Sequence, residues 1–132
     1  MGTRIPATHS VSIVSDTAVA AREAAERAAD YVVRTPLKRS SVFSEELQAE
    51  VYFKLENRQT TGSFKLRGAS NRLLTLDAAQ REQGCVAASS GNHGAAVACA
   101  MQTQGVSGLI FVPEHTAPVK IEKIRSYGGD VR

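Results

Sequence analysis

The sequence predicts an α/β fold, an open parallel sheet with helices on both faces. Two observations carry this. Short apolar runs alternate with stretches of helical length through the second half of the chain, and each run is stopped by a turn signal: Ser89-Ser90-Gly91-Asn92 after the first, Pro113 after the second. The composition also supports a buried core, since 42% of the 132 residues are hydrophobic and 22% are charged.

Taken in order, residues 1–15 read as a loose arm. Asp16 or Thr17 can cap a helix over roughly 17–33, which is Ala-rich and carries Glu23 and Arg27 at the supportive i,i+4 spacing. Thr35-Pro36 ends it, because the residue before proline avoids helical angles. A polar segment with Ser40, Ser41 and Ser44 follows, with room for a short helix. Val51, Phe53 and Leu55 alternate with Tyr52 and Lys54, the period of a strand. A polar stretch then leads to Ser63, a candidate cap for a helix over roughly 64–75. Beyond it come a strand at 85–88, a helix at 93–103, a strand at 109–112 and a helix at 118–127. The last has Pro118 at its start and Gly128-Gly129 past its end.

Val131 opens a third strand as the chain stops at Arg132. A parallel strand buried on both faces does not usually end a domain after its first residues. The sequence is therefore expected to be the N-terminal part of a longer protein; a short final edge strand is the alternative.

Several functions are disfavoured. Net charge is +3, but the Lys and Arg residues are scattered, and the aromatics do not interleave with them as a nucleic-acid surface requires. Cys85 and Cys99 lack metal-ligand spacing, and His9, His93 and His115 form no close pair, so no metal site is expected. Both cysteines read as buried thiols of a cytoplasmic protein. Met1 to Ser15 lack the apolar run of a signal peptide, and no apolar stretch of the sequence approaches membrane-spanning length.

Two loops can carry chemistry. Lys65 falls in the first turn of a helix, where the dipole is positive. That placement lowers the pKa of an amine, and Schiff-base chemistry needs a neutral amine. An ordinary surface lysine fits the same position. The second loop, residues 89–93, follows a strand and opens a helix. Its backbone N–H groups can bind an anion, and Gly91 lets that anion approach closely. A plain capping turn, with Ser or Asn on the helix N–H groups, fits the loop equally. Ligands of open α/β sheets sit at such strand ends.

The string from Lys54 through Glu56, Asn57 and Thr61-Gly62-Ser63-Phe64-Lys65 to Arg67-Gly68-Ala69 resembles the cofactor-lysine motif of the serine/threonine dehydratases. These are fold-type II pyridoxal-phosphate enzymes, related to the tryptophan synthase β-subunit. Ser89-Ser90-Gly91-Asn92-His93-Gly94 resembles their second motif. Arg34-Thr35-Pro36-Leu37, Val112-Pro113, Pro118, Lys120 and Tyr127-Gly128-Gly129 fit in order.

The resemblance implies pyridoxal 5′-phosphate as cofactor and a small amino acid as substrate. Lys65 would be the Schiff-base lysine and the base at Cα. Phe64 would pack on the pyridine ring and Asn92 would hydrogen-bond the phenolic oxygen. Ser89, Ser90, Gly91, Asn92 and His93 would bind the substrate carboxylate. Ser90 is a second catalytic candidate, since a matching serine serves as acid or base in related racemases. The implied activity is dehydration of threonine, serine or a related β-hydroxy amino acid to a 2-oxo acid and ammonia. Racemase-like and cysteine-synthase-like chemistry, or a non-catalytic fragment, are the alternatives.

It further implies that residues 1–76 belong to a larger domain and 77–132 to most of a smaller βαβ domain. The full-length protein is expected to be a homo-oligomer with no nucleic-acid or membrane partner. The 132-residue chain alone is expected to be inactive.

Overall fold

The computed structural model describes residues 8–132, which are built around one helix buried on nearly every side. The first helix, α1 (Thr8–Arg27), is followed by a short 3-10 turn, Ala29–Tyr31. Strand β1 (Leu37–Arg39), helix α2 (Ser41–Glu46) and strand β2 (Tyr52–Lys54) form a hairpin unit. A second 3-10 turn, Glu56–Arg58, leads to α3 (Lys65–Leu74) and α4 (Ala78–Gln83). The chain then alternates through β3 (Cys85–Ala88), α5 (Asn92–Gln104), β4 (Gly108–Phe111), α6 (Pro118–Ser126) and β5 (Asp130–Val131).

Strands β3, β4 and β5 make a parallel sheet in that order, with Ala87 opposite Ile110 and Ile110 opposite Val131. The α/β class and the parallel sheet are as expected from the sequence. The helical cover lies on one face among the described residues. Helices α5 and α6 pack against each other there, over Cys85, Ala87, Ile110 and Val131. Val86 is 67% exposed and Phe111 46% exposed on the alternate positions, which point to the other face.

Helix α5 is the axis of the core. Residues 94–101 are buried without interruption, the signature of a helix covered all round. Ala95, Ala96, Ala98 and Ala100 leave room for α3, α6 and the sheet to approach it closely. Leu66, Ile110 and Ile124 fill the gaps and are almost fully buried; each contributes about 1.5–3 kcal/mol of transfer free energy.

The structure corrects several local expectations. Residues 8–15 are helical rather than a loose arm, so Asp16 and Thr17 lie inside α1 instead of capping it; residues 1–7 lie outside the described residues. Arg27 donates to Asn71 of α3 across 2.5 Å. The strand at residues 52–54 pairs antiparallel with β1, a strand the sequence did not suggest. Three residues of Leu-Lys-Arg are too short to show a period. Helix α4 was also unforeseen, although Asp77 and Gln80 form a reciprocal capping box at its start.

A polar latch joins three helix ends. Arg81 donates to Leu73 O at the end of α3 and to Gln104 O at the end of α5, each at 3.2 Å, and the Gln104 amide donates to Ser70 O. A guanidinium on two helix C-termini meets the negative end of both dipoles. Arg81→Ala is expected to cost about 1–3 kcal/mol, read as a lower thermal midpoint, with Arg81→Lys recovering part of the loss.

Candidate functional site

Gly91 is the N-cap of α5, and no side chain caps that helix. Ser89 Oγ accepts from Gly91 N–H at 3.2 Å, one residue short of the helix, and Ala95 N–H returns to Gly91 O. The first-turn N–H groups of α5 are thus left without a side-chain acceptor, which decides against the plain capping turn. A Cβ built on Gly91 meets nothing within 4 Å, so the backbone there borders open space. The arrangement leaves the first turn of α5 open at the carboxyl end of β3, where helix N–H groups can meet an anion.

Two cavities flank the turn. One, of about 500 Å³, is lined by Ser89, Ser90, Gly91, Phe111, Val112 and Pro113. The other, of about 160 Å³, is lined by Ser90, Gly91, Asn92, Ala95, Lys120 and Lys123. Ser90 faces both. His93 lines neither; it borders a cavity of about 370 Å³ with Arg72 and Cys85, between α3 and β3.

Lys65 opens α3 and is exposed, with Phe64 as the N-cap. Its Nζ stands 4.7 Å from the centroid of the Phe64 ring, itself 59% exposed. Lys65 lines none of the three cavities just described. Ser63 does not cap α3 as the sequence suggested; its hydroxyl is buried with no partner, as is that of Thr61.

The profile of the family described as "Pyridoxal-phosphate dependent enzyme" matches residues 28–132. This chain belongs to that family. It is 44% identical to an L-threonine ammonia-lyase of Thermotoga maritima over 110 residues, 83% of this chain and 27% of that protein. It is 42% identical to a serine racemase of Dictyostelium discoideum over 110 residues, 83% of this chain and 34% of that protein. The solved structure of serine racemase from Dictyostelium discoideum matches with a TM-score of 0.80 at 42% identity, over 83% of this chain and 36% of that one. The structure of maize serine racemase matches with a TM-score of 0.79 at 41% identity, over 84% and 34%. The chain therefore spans about a third of the length of these relatives. It is a serine/threonine dehydratase-family sequence of fold type II, and the family depends on pyridoxal phosphate.

The residues of this dehydratase-family chain fit that cofactor. Lys65 offers an exposed primary amine with no hydrogen bond or ion pair among the described residues, Phe64 an apolar ring beside it, and Asn92 a neutral amide at the open turn. No group of His, Cys, Asp or Glu able to hold a metal occurs among the described residues. Both thiols are free, and burial raises that of Cys99. No helix among them is long and apolar enough to cross a membrane.

Reading by sequence missed the polar residues that hold the lysine loop. Glu56 accepts from Arg67 Nε at 3.0 Å and Nη2 at 2.7 Å, and from Thr35 Oγ1. Tyr127 OH donates to Thr60 O at 2.9 Å, tying the end of α6 to the same loop. Such partners lie 11 to 67 positions apart, and no local spacing announces them.

Arg67 beside Glu56 holds the carboxyl below its ordinary value, opposed by burial and aided by Thr35 and the charge of Lys54. A carboxylate depressed in the folded state stabilises it above the unfolded pKa and loses that contribution as pH falls through the folded value. The thermal midpoint is therefore expected to fall as pH drops below the ordinary glutamate value of about 4.3, less steeply in Glu56→Gln. At pH 7 that variant is expected to be less stable by roughly 1 kcal/mol, because Arg67 is 37% exposed and solvent screens the pair.

Proposed function

We propose that the full-length protein is a pyridoxal-phosphate-dependent dehydratase, an ammonia-lyase for threonine, serine or a related β-hydroxy amino acid. One observation carries this reading: α5 opens beside free space with no side chain on its first-turn N–H groups. An α-amino acid presents its carboxylate to such a cradle. The relatives named as L-threonine ammonia-lyase and serine racemase favour an amino acid with a β-hydroxyl.

In this reading the residues 89–93 hold the substrate carboxylate, largely by N–H groups. Lys65 carries the cofactor and then takes the proton from Cα. Asn92 donates to the phenolic oxygen and Phe64 covers the ring. The bound cofactor supplies a sink for the electron pair left at Cα. The β-hydroxyl departs as water, a water returns at Cα, and the net products are a 2-oxo acid and ammonia.

Serine racemisation is the second reading. It is favoured by Ser90, whose position between both cavities suits a hydroxyl that exchanges a proton on the opposite face. Incubating the full-length protein with L-threonine and L-serine separates the two. A 2-oxo acid and ammonia are expected in equal amounts. D-serine without oxo acid supports the racemase, and turnover of O-acetylserine with sulfide alone supports a cysteine synthase. No turnover of any of these, with no uptake of cofactor, would support the non-catalytic reading instead.

The proposal includes the assignment of residues 1–76 to the N-terminal part of a larger domain and of 77–132 to most of a smaller βαβ domain. It includes a homo-oligomer and a reducing, cytoplasmic setting, the last supported by two unpaired cysteines. The 132-residue chain by itself is inactive in this reading. Cofactor added to it is expected to give no stable near-visible band.

A further inference from the structure

We infer that Glu56, Gln59 and Arg67 are positioning residues for Lys65, clamping both sides of the lysine-bearing loop onto the segment 33–35. The inference rests on the reading of Lys65 given above.

Gln59 is 4% exposed, and its carboxamide is used at both ends. Val33 N–H donates to Oε1 at 2.8 Å, and Nε2 donates to Val33 O at 3.0 Å. The side chain thereby stands in for a neighbouring strand. Thr60 N–H donates to the same Oε1 at 3.1 Å, so the start of the loop is fixed to its own anchor. On the far side of Lys65, Arg67 forks onto Glu56 and also donates from Nη2 to Val33 O at 3.2 Å and Thr35 Oγ1 at 3.3 Å. Thr35 donates its hydroxyl to Glu56, and Lys54 Nζ donates to Thr35 O at 2.7 Å.

The two anchors therefore flank Lys65, six residues after Gln59 and two before Arg67, and both grip Val33, the second also holding Thr35. Between the anchors the loop has two further polar ties among the described residues, Gly62 N–H on Gln59 O at 2.7 Å and Tyr127 OH on Thr60 O at 2.9 Å, and none within 61–64 from a side chain. Thr61 and Ser63 bury hydroxyls without partners, and Gly62 takes φ +72°. An exposed four-carbon amine on an unanchored loop samples many positions. Reaction at that amine needs it held within about 0.5 Å of a productive place. The clamp supplies that hold before any ligand arrives. Its members differ in what they contribute: Gln59 needs both its donor and its acceptor, whereas Glu56 needs its charge for the guanidinium fork.

The test uses the full-length protein with Glu56→Gln and Gln59→Glu, each nearly isosteric. Ile110→Val serves as a mildly destabilising control in the sheet core. Two quantities are read. One is the pyridoxal phosphate concentration that gives half-maximal borohydride-fixed labelling of Lys65, by peptide mapping. The other is amide hydrogen exchange of residues 60–66 in the cofactor-free protein.

Glu56→Gln and Gln59→Glu are expected to raise the first at least tenfold and to speed the second, while Ile110→Val moves neither. Labelling and exchange at parental values in both clamp variants would overturn the inference. So would equal shifts in Ile110→Val, which would reduce the effect to general stability. If the parent itself is not labelled at Lys65, the proposed function fails, and exchange in the 60–66 segment alone decides whether the clamp orders the loop.

Discussion

Lys65→Ala in the full-length protein is expected to abolish the near-visible absorbance of bound cofactor and to lower turnover at least about a thousandfold. A general base alone typically supplies 10²–10⁴-fold, and here the same amine is proposed to hold the cofactor as well. The stability of the variant separates this from damage to the fold. Lys65 is exposed, and its described contact is with the Phe64 ring, worth about 0.5–1 kcal/mol at an exposed site. Against that, a cation at a helix N-terminus opposes the dipole by a similar amount. The thermal midpoint is thus expected to stay within a degree or two of the parent. A band that survives the substitution would place the attachment elsewhere and remove the basis of the proposed function.

Gly108→Ala is expected to have the largest effect on folding. A Cβ at that position lies 2.0 Å from Cys85 O and 2.6 Å from Met101 Sδ. The first neighbour is backbone in the paired strand and cannot swing aside, so β3 and β4 must part at the start of their register. Overpacking of this kind costs about 1–3 kcal/mol and occasionally more, a fall on the order of 10 °C in thermal midpoint. Gly94→Ala meets Ser89 O at 2.3 Å and is expected to behave likewise. Gly91→Ala provides the contrast, because its Cβ enters open space. It is expected to fold normally while raising KM for the amino acid, since the new methyl occupies the approach to the cradle. Thermal melts of the three variants, with KM measured for the third, check the set. A Gly108→Ala protein as stable as the parent would show that the strand pairing is looser than described.

The sequence alone determined the alternating half of the molecule. Residues 85–88 form the strand expected, and α5, β4 and α6 begin and end within a residue of their predicted bounds. These elements are local: their apolar runs, their turns and the proline that opens α6 are contiguous in the chain, and one periodicity describes each. The open turn before α5 was legible for the same reason, because a strand, a glycine and a helix start are all next to one another. Tertiary structure decided the rest. The β1–β2 pairing, the one-sided cover of the sheet and the latch at Arg81 join residues distant in sequence. Whether Ser63 caps its helix or buries an unpaired hydroxyl depends on what packs above it. The placement of Lys65 belongs to that second class. Its position at a helix start was written in the chain. Its hold on the molecule comes from Gln59, Glu56 and Arg67 meeting segment 33–35, because hydrogen bonds between side chains and remote backbone exist only once the chain has closed on itself.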